Sequence, residues 1–344
     1  MRIFEEIQAI LSQQKPFVCY VKPNETVWNL LVQQTDEIIE FSNQAGFVFM
    51  PFHEGKQLVI PFEENKFSQG NLEKFEQKSV ENFTSESNQK EAFENLVSKG
   101  IEAIEQGEFE KIVLSRKIVL KQQLSIVETF QNLISTYPTA FRYLFFHPKI
   151  GLWMGATPEQ LVKINQNQFE TVALAGTQLF SENVIWATKE MEEQQFVTDY
   201  IVTKVKNKVN NLTVSDAKTV KAGNLAHLKS FISGELTADF QANDLIKALH
   251  PTPAVCGLPK EKAIDFILKN EGYNRKYYTG FLGEYKKDNQ TDLFVNLRCL
   301  EVENDIVNIY VGCGIIKDSH PEKEFIETEN KSMTMRNILV SKTF

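Results

Sequence analysis

The chain has 344 residues, of which 42% are hydrophobic and 24% charged. That length allows two domains of about 150 residues or one unusually large one, and the composition excludes a disordered chain, a collagen or a coiled-coil rod. Lys and Arg number 37 against 45 Asp and Glu, a net charge of −8, which repels nucleic acid and anionic membrane at long range, so neither is an expected partner and an anionic ligand would need local positive contacts.

Phe4, Ile7, Ile10 and Leu11 recur at helical spacing, and the runs FVCYV, GFVFMPF and QLVIPF, punctuated by Pro51 and Pro61, read as strands. Residues 63–90, rich in Asn, Gln, Ser, Glu and Lys, read as a surface excursion or boundary. Phe93, Leu96, Val97, Ile101 and Ile104 form one stripe of a helix that leads through Gly107 into the β-branched strand EKIVLSRKIVLK. After a helix around 126–134 come the strands FRYLFFH, IGLWMGA, QLVKI and FETVALAG, then helices around 190–209 and 261–269. The runs GFLGEYKK and TDLFVNLRCLEV form a strand pair joined by a turn at Lys287, Asp288, Asn289 and Gln290. A last strand, IVNIYVGCGII, runs into a helix with Ser319 or His320 at its N-cap and Pro321 in its first turn. Strands that arrive in runs, without βαβ alternation, predict an α+β fold.

Much chemistry is absent. Cys19, Cys256, Cys299 and Cys313 are far apart and form no Cys-x-x-Cys pair, so reduced, buried thiols are expected. Glu5 and Glu6 stand where a signal peptide needs basic residues, and no apolar run approaches about 18 residues, which predicts a cytoplasmic protein. The sequence has no G-x-x-x-x-G-K, H-E-x-x-H or G-x-S-x-G. The basic run TKVKNKVNN lacks interleaved aromatics and reads as a solvated helix face.

Several constellations remain. Glu190 and Glu193 share one face of a predicted helix, as do Glu324 and Glu327 of another, with Lys331 four residues beyond. Taken alone each stripe fits a solvated surface; facing each other, the two supply the oxygen ligands that Mg²⁺ prefers. Lys111 shares a strand face with Val113 and Ser115, where loss of solvation would lower its pKa toward that of a general base, unless it snorkels to water. Glu159 follows GATP at a strand end. Arg298 interrupts the apolar run FVNLRCL and needs an anion, whether a ligand or a structural partner. Gly176 and Thr177, with Gly312 and Gly314, allow backbone N–H groups to approach a ligand, or serve tight turns.

Read in order, EKIVLSR, GATPEQL, ALAGT, KEMEEQ, HLKSFISGEL, LHPTPAVCGLPKEKA, NRKYYTGFLGEY, FVNLRCL and GCGIIKDSHPEKEFIETENK resemble the chorismate-utilising enzymes from about Phe93 to the C-terminus. The resemblance implies their fold, large antiparallel β-sheet layers in a sandwich-like core flanked by helices. It also implies a single large domain over 1–344, with a variable N-terminal layer over 1–90 and the catalytic region over 91–344. Within the family, Lys111 and the LHPTPAVCG block with His250 look like the isochorismate synthase form, since amine-transferring members do not place a lysine there.

The implied reaction is Mg²⁺-dependent conversion of chorismate to isochorismate, feeding menaquinone or siderophore synthesis. Lys111 would act as base on water and Glu159 as acid on the departing ring hydroxyl. Glu193 and Glu327 would hold Mg²⁺, supported by Glu190 and Glu324. Tyr278 and Arg298 would bind the enolpyruvyl carboxylate, Gly176, Thr177, Gly314 and His227 would surround the substrate, and Lys331 would balance the metal carboxylates. A monomer or weak dimer with no obligatory glutaminase subunit is expected. The rival readings are a salicylate synthase, an anthranilate or aminodeoxychorismate synthase subunit, and a non-catalytic chorismate-binding protein. Cys313 and Asn274 depart from the family pattern, the first between the two glycines and the second beside Arg275, where it is expected to alter an ion pair.

Overall fold

The structure is a computed structural model and describes residues 2–73, 75, 77–80, 89–222 and 225–342. Helix α1 (Arg2–Ser12) precedes strands β1 (Phe17–Val21), β2 (Val27–Val32), β3 (Gly46–Met50), β4 (Leu58–Pro61) and β5 (Lys66–Asn71), and α2 (Gln89–Glu105) follows. The middle of the chain runs β6 (Lys111–Lys121), α3 (Ile126–Thr136), β7 (Phe141–His147), β8 (Gly151–Thr157), β9 (Gln160–Asn165), β10 (Gln168–Leu179) and α4 (Thr188–Val205). Next come β11 (Val209–Val214), β12 (Lys218–Ala222), β13 (Leu225–Leu236), α5 (Ala242–Leu249), the two-residue β14 (Gly257–Leu258) and α6 (Lys260–Asn270). The chain closes with β15 (Phe281–Lys287), β16 (Gln290–Val295), β17 (Cys299–Glu303), β18 (Ile306–Ile315) and α7 (Pro321–Arg336).

Among the described residues the strands form two nine-stranded sheets, one ordered β14-β6-β18-β17-β8-β7-β1-β2-β5, the other β11-β13-β10-β9-β16-β15-β3-β4 with β12 beside β13. Every described pair is antiparallel, as expected of a fold without βαβ crossovers. Alternation along each strand builds the layers. In β3, Phe47 and Phe49 face an aromatic core that also takes Phe141, Tyr143 and Phe145 of β7, whereas Val48 and Met50 face a second core packed with α4 and α5. The opposite outer face, under α1 and α3, takes Leu144 and Phe146. The result is helices, sheet, sheet, helices.

The N-terminal strands enter both sheets: β1, β2 and β5 extend the first, β3 and β4 the second. Two corrections to the predicted elements follow. The stretch 63–90 is not all excursion, because β5 pairs along the whole of β2; residues 74, 76 and 81–88 of it lie outside the described residues. The run TDLFVNLRCLEV is not one strand. It breaks after Val295, so that β16 lies in one sheet and β17 in the other, and Arg298 stands in the break with φ 48°. Helix α7 begins as predicted, with His320 as N-cap and Pro321 at its start.

Candidate active site

Strands β6, β10, β13 and β18, helices α4 and α7, and the loops after β8 and β16 surround a cavity of about 90 Å³. Lys111, Glu159, Gly176, Glu193, His227, Tyr278, Arg298, Gly314, Glu327 and Lys331 all line it. Lys111 opens β6 and is only 2% exposed, so it does not snorkel to water. A Cβ on Gly314 would lie 2.8 Å from Glu193 Oε1 and 3.1 Å from Lys111 Cε; the missing side chain lets Lys111 and Glu193 share one corner of the cavity.

Glu159 is 4% exposed in the turn between β8 and β9. Its N–H donates to Thr157 Oγ1 at 3.3 Å and its carbonyl accepts from Val295 N at 2.9 Å. Burial pushes its carboxyl up to about 7, against the opposing charges of Lys111, Lys331 and Arg298. A carboxylic acid that keeps its proton near neutrality can donate it.

Arg298 holds a left-handed backbone conformation that a non-glycine residue adopts at some cost, a strain that gathers at functional sites. Thr279, on the facing loop, shares it with φ 61°. Arg298 Nη1 is buried without a hydrogen-bond partner, and burial lowers the guanidinium pKa against Tyr278 and Glu327, which raise it. Among the described residues no carboxylate pairs with Arg298, so the structural ion pair allowed by the sequence is not formed. Burial raises the pKa of Tyr278, leaving its hydroxyl a donor beside that guanidinium.

His227 on β13 makes a hydrogen bond of 3.0 Å to Gly176 O. A carbonyl only accepts, so Nδ1 carries the proton and Nε2 is left as an acceptor. Burial, with Arg298 and Lys331, pushes the imidazole down to about 3, so it stays neutral. Gly176, with φ 67°, donates its N–H to Glu193 Oε2 at 3.3 Å, and a Cβ there would meet Glu190 Cβ at 2.9 Å. That close approach brings α4 against β10. From α7, Lys331 Nζ reaches Glu327 Oε1 at 2.6 Å and Gly312 O at 3.0 Å. Thr177 lies on β10, its side chain outside the described residues.

Glu190 and Glu324 stand one turn from Glu193 and Glu327 but do not line the cavity; Glu324 is 1% exposed. Among the described residues no three such side chains are close enough together to hold a metal ion as they stand. The residues nevertheless fit Mg²⁺, which binds through one or two carboxylates and keeps several waters. Glu193 and Glu327 reach the cavity from two helices, and a carboxylate oxygen of Glu190, one turn from Glu193, is buried without a hydrogen-bond partner.

Sequence reasoning overlooked lining residues with no chemical signature, among them Leu174, Tyr310 and Val255. His250, which marked the HPTPAV block, is not in the cavity. Its Nε2 lies 3.3 Å from Pro51 O and 3.2 Å from Phe52 O, while Ala254 and Val255 of the same block line the wall. Asn274 does not decide the ion pair of Arg275, which is made with Glu271 at 2.5 Å; its Oδ1 accepts from Lys276 N at 2.7 Å.

The chain matches the model of the chorismate binding enzymes over residues 51–340. It is 33% identical over 253 residues to anthranilate synthase component 1 of Archaeoglobus fulgidus, covering 70% of this chain and 61% of that one. It is 30% identical over 266 residues to isochorismate synthase DhbC of Bacillus subtilis, covering 71% and 67%. A solved Bacillus anthracis chain described as a 2,3-dihydroxybenzoate-specific isochorismate synthase, DhbC, superposes with a TM-score of 0.79 at 25% identity, over 96% of this chain and 98% of that one. Fold and sequence therefore agree: the protein belongs to the chorismate binding enzyme family. The aligned stretch spans 61% of the archaeal relative.

Proposed function

We propose that the protein is an isochorismate synthase, converting chorismate to isochorismate in the cytoplasm, for menaquinone or siderophore synthesis, without a glutaminase subunit. The observation that carries this reading is the pair Lys111 and Glu159, both buried and both lining one cavity, the second with its carboxyl pushed up to about 7. An ammonia-transferring enzyme has no use for a general base aimed at water.

In the proposed reaction Lys111, unprotonated, takes a proton from a water as that water attacks the ring carbon beside the carboxylated one. The ring double bonds shift, and Glu159 delivers its proton to the hydroxyl that leaves from the other side. One water enters and one departs, so the product is an isomer of the substrate. Arg298 and Tyr278 supply a guanidinium and a phenol O–H to the enolpyruvyl carboxylate, and His227 Nε2 accepts from a ring hydroxyl. Mg²⁺, held by Glu193 and Glu327 with Glu190 and Glu324 behind them, would neutralise the ring carboxylate. Lys331 keeps Glu327 oriented through its 2.6 Å contact.

The test is incubation of the purified protein with chorismate and Mg²⁺ and no ammonia, with the products resolved. Isochorismate as the main product supports the proposal, and EDTA should abolish its formation. Salicylate with pyruvate, anthranilate formed only on adding ammonia, or no turnover would each defeat it.

A further inference from the structure

Strand β6 carries Lys111, yet on one edge β14 covers only its first two residues, pairing Leu258 with Lys111 and Gly257 with Ile112. Just beyond, Val113 N donates to Cys256 O at 2.7 Å. Alternate residues of a strand turn their backbone groups to the same edge, so the Val113 carbonyl and the Ser115 N–H face outward where no strand meets them. Left unpaired inside the protein, each would cost about as much as a lost hydrogen bond.

A buried ion pair takes the place of the missing strand. Glu271 Oε1 accepts from Ser115 N at 2.7 Å and from Ser115 Oγ at 2.9 Å, and Arg275 Nη2 donates to Val113 O at 2.7 Å. The two side chains join through Nη2 to Oε1 at 2.5 Å and Nε to Oε2 at 2.8 Å, and are 0% and 2% exposed for Glu271 and Arg275. The remaining nitrogen, Nη1, donates to Val255 O at 2.9 Å and Thr279 Oγ1 at 3.3 Å. The guanidinium also lies over the Phe52 ring, 4.6 Å from its centroid.

Neither residue lines the cavity, but Val113, Val255 and Thr279, which Arg275 holds, all do, and so does Tyr278 beside Thr279. A buried ion pair is weak evidence for stability, since apolar residues of like volume often serve as well. Its distinctive product here is geometry: one fork fixes the strand of Lys111 against two loops that wall the substrate. We propose that Glu271 and Arg275 are positioning residues that set the register between the base on β6 and the loop carrying Tyr278. The proposal rests on the roles given to Lys111 and Tyr278 above.

Glu271→Gln and Arg275→Lys in the full chain test it, read as chorismate consumed with Mg²⁺, with and without ammonium, beside thermal melts. Misplacement of a base by a fraction of an ångström predicts a kcat at least about tenfold lower in each folded variant, with chorismate KM within about threefold of wild type. A smaller fall in kcat, or a loss confined to KM, overturns the proposal. Should both variants fail to fold, Ser115→Ala decides: it removes the hydroxyl that bonds Glu271 Oε1 and the Tyr273 hydroxyl and should lower kcat about threefold, and an unchanged kcat overturns the proposal. A wild type that yields a product other than isochorismate defeats the reaction proposed above, whereas the ratio of variant to wild type still judges the ion pair.

Discussion

With its carboxyl pushed up to about 7 by burial, Glu159 is half protonated near neutral pH, and the proposed general acid is lost as pH rises further. The kcat/KM profile should therefore descend through about pH 7 on its alkaline side, and Glu159→Gln should be inactive at every pH. The same shift has a sign for stability. A carboxyl whose folded pKa lies above its unfolded value costs nothing at low pH and destabilises the fold as pH rises from about 4.5 to 7, by about 3 kcal/mol in all. Thermal melts should find Glu159→Gln more stable than wild type at pH 8 and equal to it at pH 4; equal stability at both would remove the burial argument. Gly314→Ala places a methyl 2.8 Å from Glu193 Oε1 and 3.1 Å from Lys111 Cε. Turnover should fall about a hundredfold with the melt little changed, and an active variant would show that base and carboxylate do not share that corner. Lys111, Glu159 and the acidic pairs were legible because their types are out of place in their surroundings: a lysine among valines, carboxylates three apart. Val255 and Tyr310 were not, because an apolar wall residue resembles any core residue in sequence.

At the scale of elements, Val197, Ile201 and Val205 pack α4 on the sheet, and Gly176, without a side chain, lets the first turns of the helix come close. Gly176→Ala combines a left-handed φ of 67° with a methyl 2.9 Å from Glu190 Cβ. It should cost about 2 kcal/mol and draw Glu193 away from the Gly176 N–H, raising the Mg²⁺ needed for half-maximal activity; denaturant titration and metal titration read the two effects. Periodicity found the long strands and amphipathic helices, since hydrophobic alternation dictates both. It missed β13, whose LAHLKSFISGEL mixes polar residues along both faces, and the short α5. It also read β16 and β17 as one strand, because a change of sheet leaves the apolar run unbroken and is made in the backbone at Arg298. The lone arginine was visible, but not the break that aims it.

Seen whole, the acidic surface encloses a cavity of different balance. Lys111, Arg298 and Lys331 line it against Glu159, Glu193 and Glu327; with Glu159 protonated, His227 neutral and Lys111 unprotonated as proposed, Arg298 and Lys331 offset Glu193 and Glu327, and Mg²⁺ would supply the positive excess that the proposed dianionic substrate needs. The first 90 residues, expected as a variable layer, supply strands to both sheets, and Phe47 and Phe49 fill the core between them. We propose that the chain folds as one unit. A chain of residues 91–344 alone would expose that aromatic face and should be insoluble or bind hydrophobic dye, whereas a soluble, cooperatively melting fragment would make the N-terminal layer a separate domain. The central claim is that this cavity adds water to chorismate. It is tested most directly by running the reaction with Mg²⁺ in ¹⁸O-labelled water without ammonia and analysing the product by mass spectrometry. The account predicts isochorismate carrying one ¹⁸O at the newly hydroxylated carbon, formed by wild type and not by Lys111→Ala. Unlabelled product, no product, or an equal rate in Lys111→Ala would contradict it.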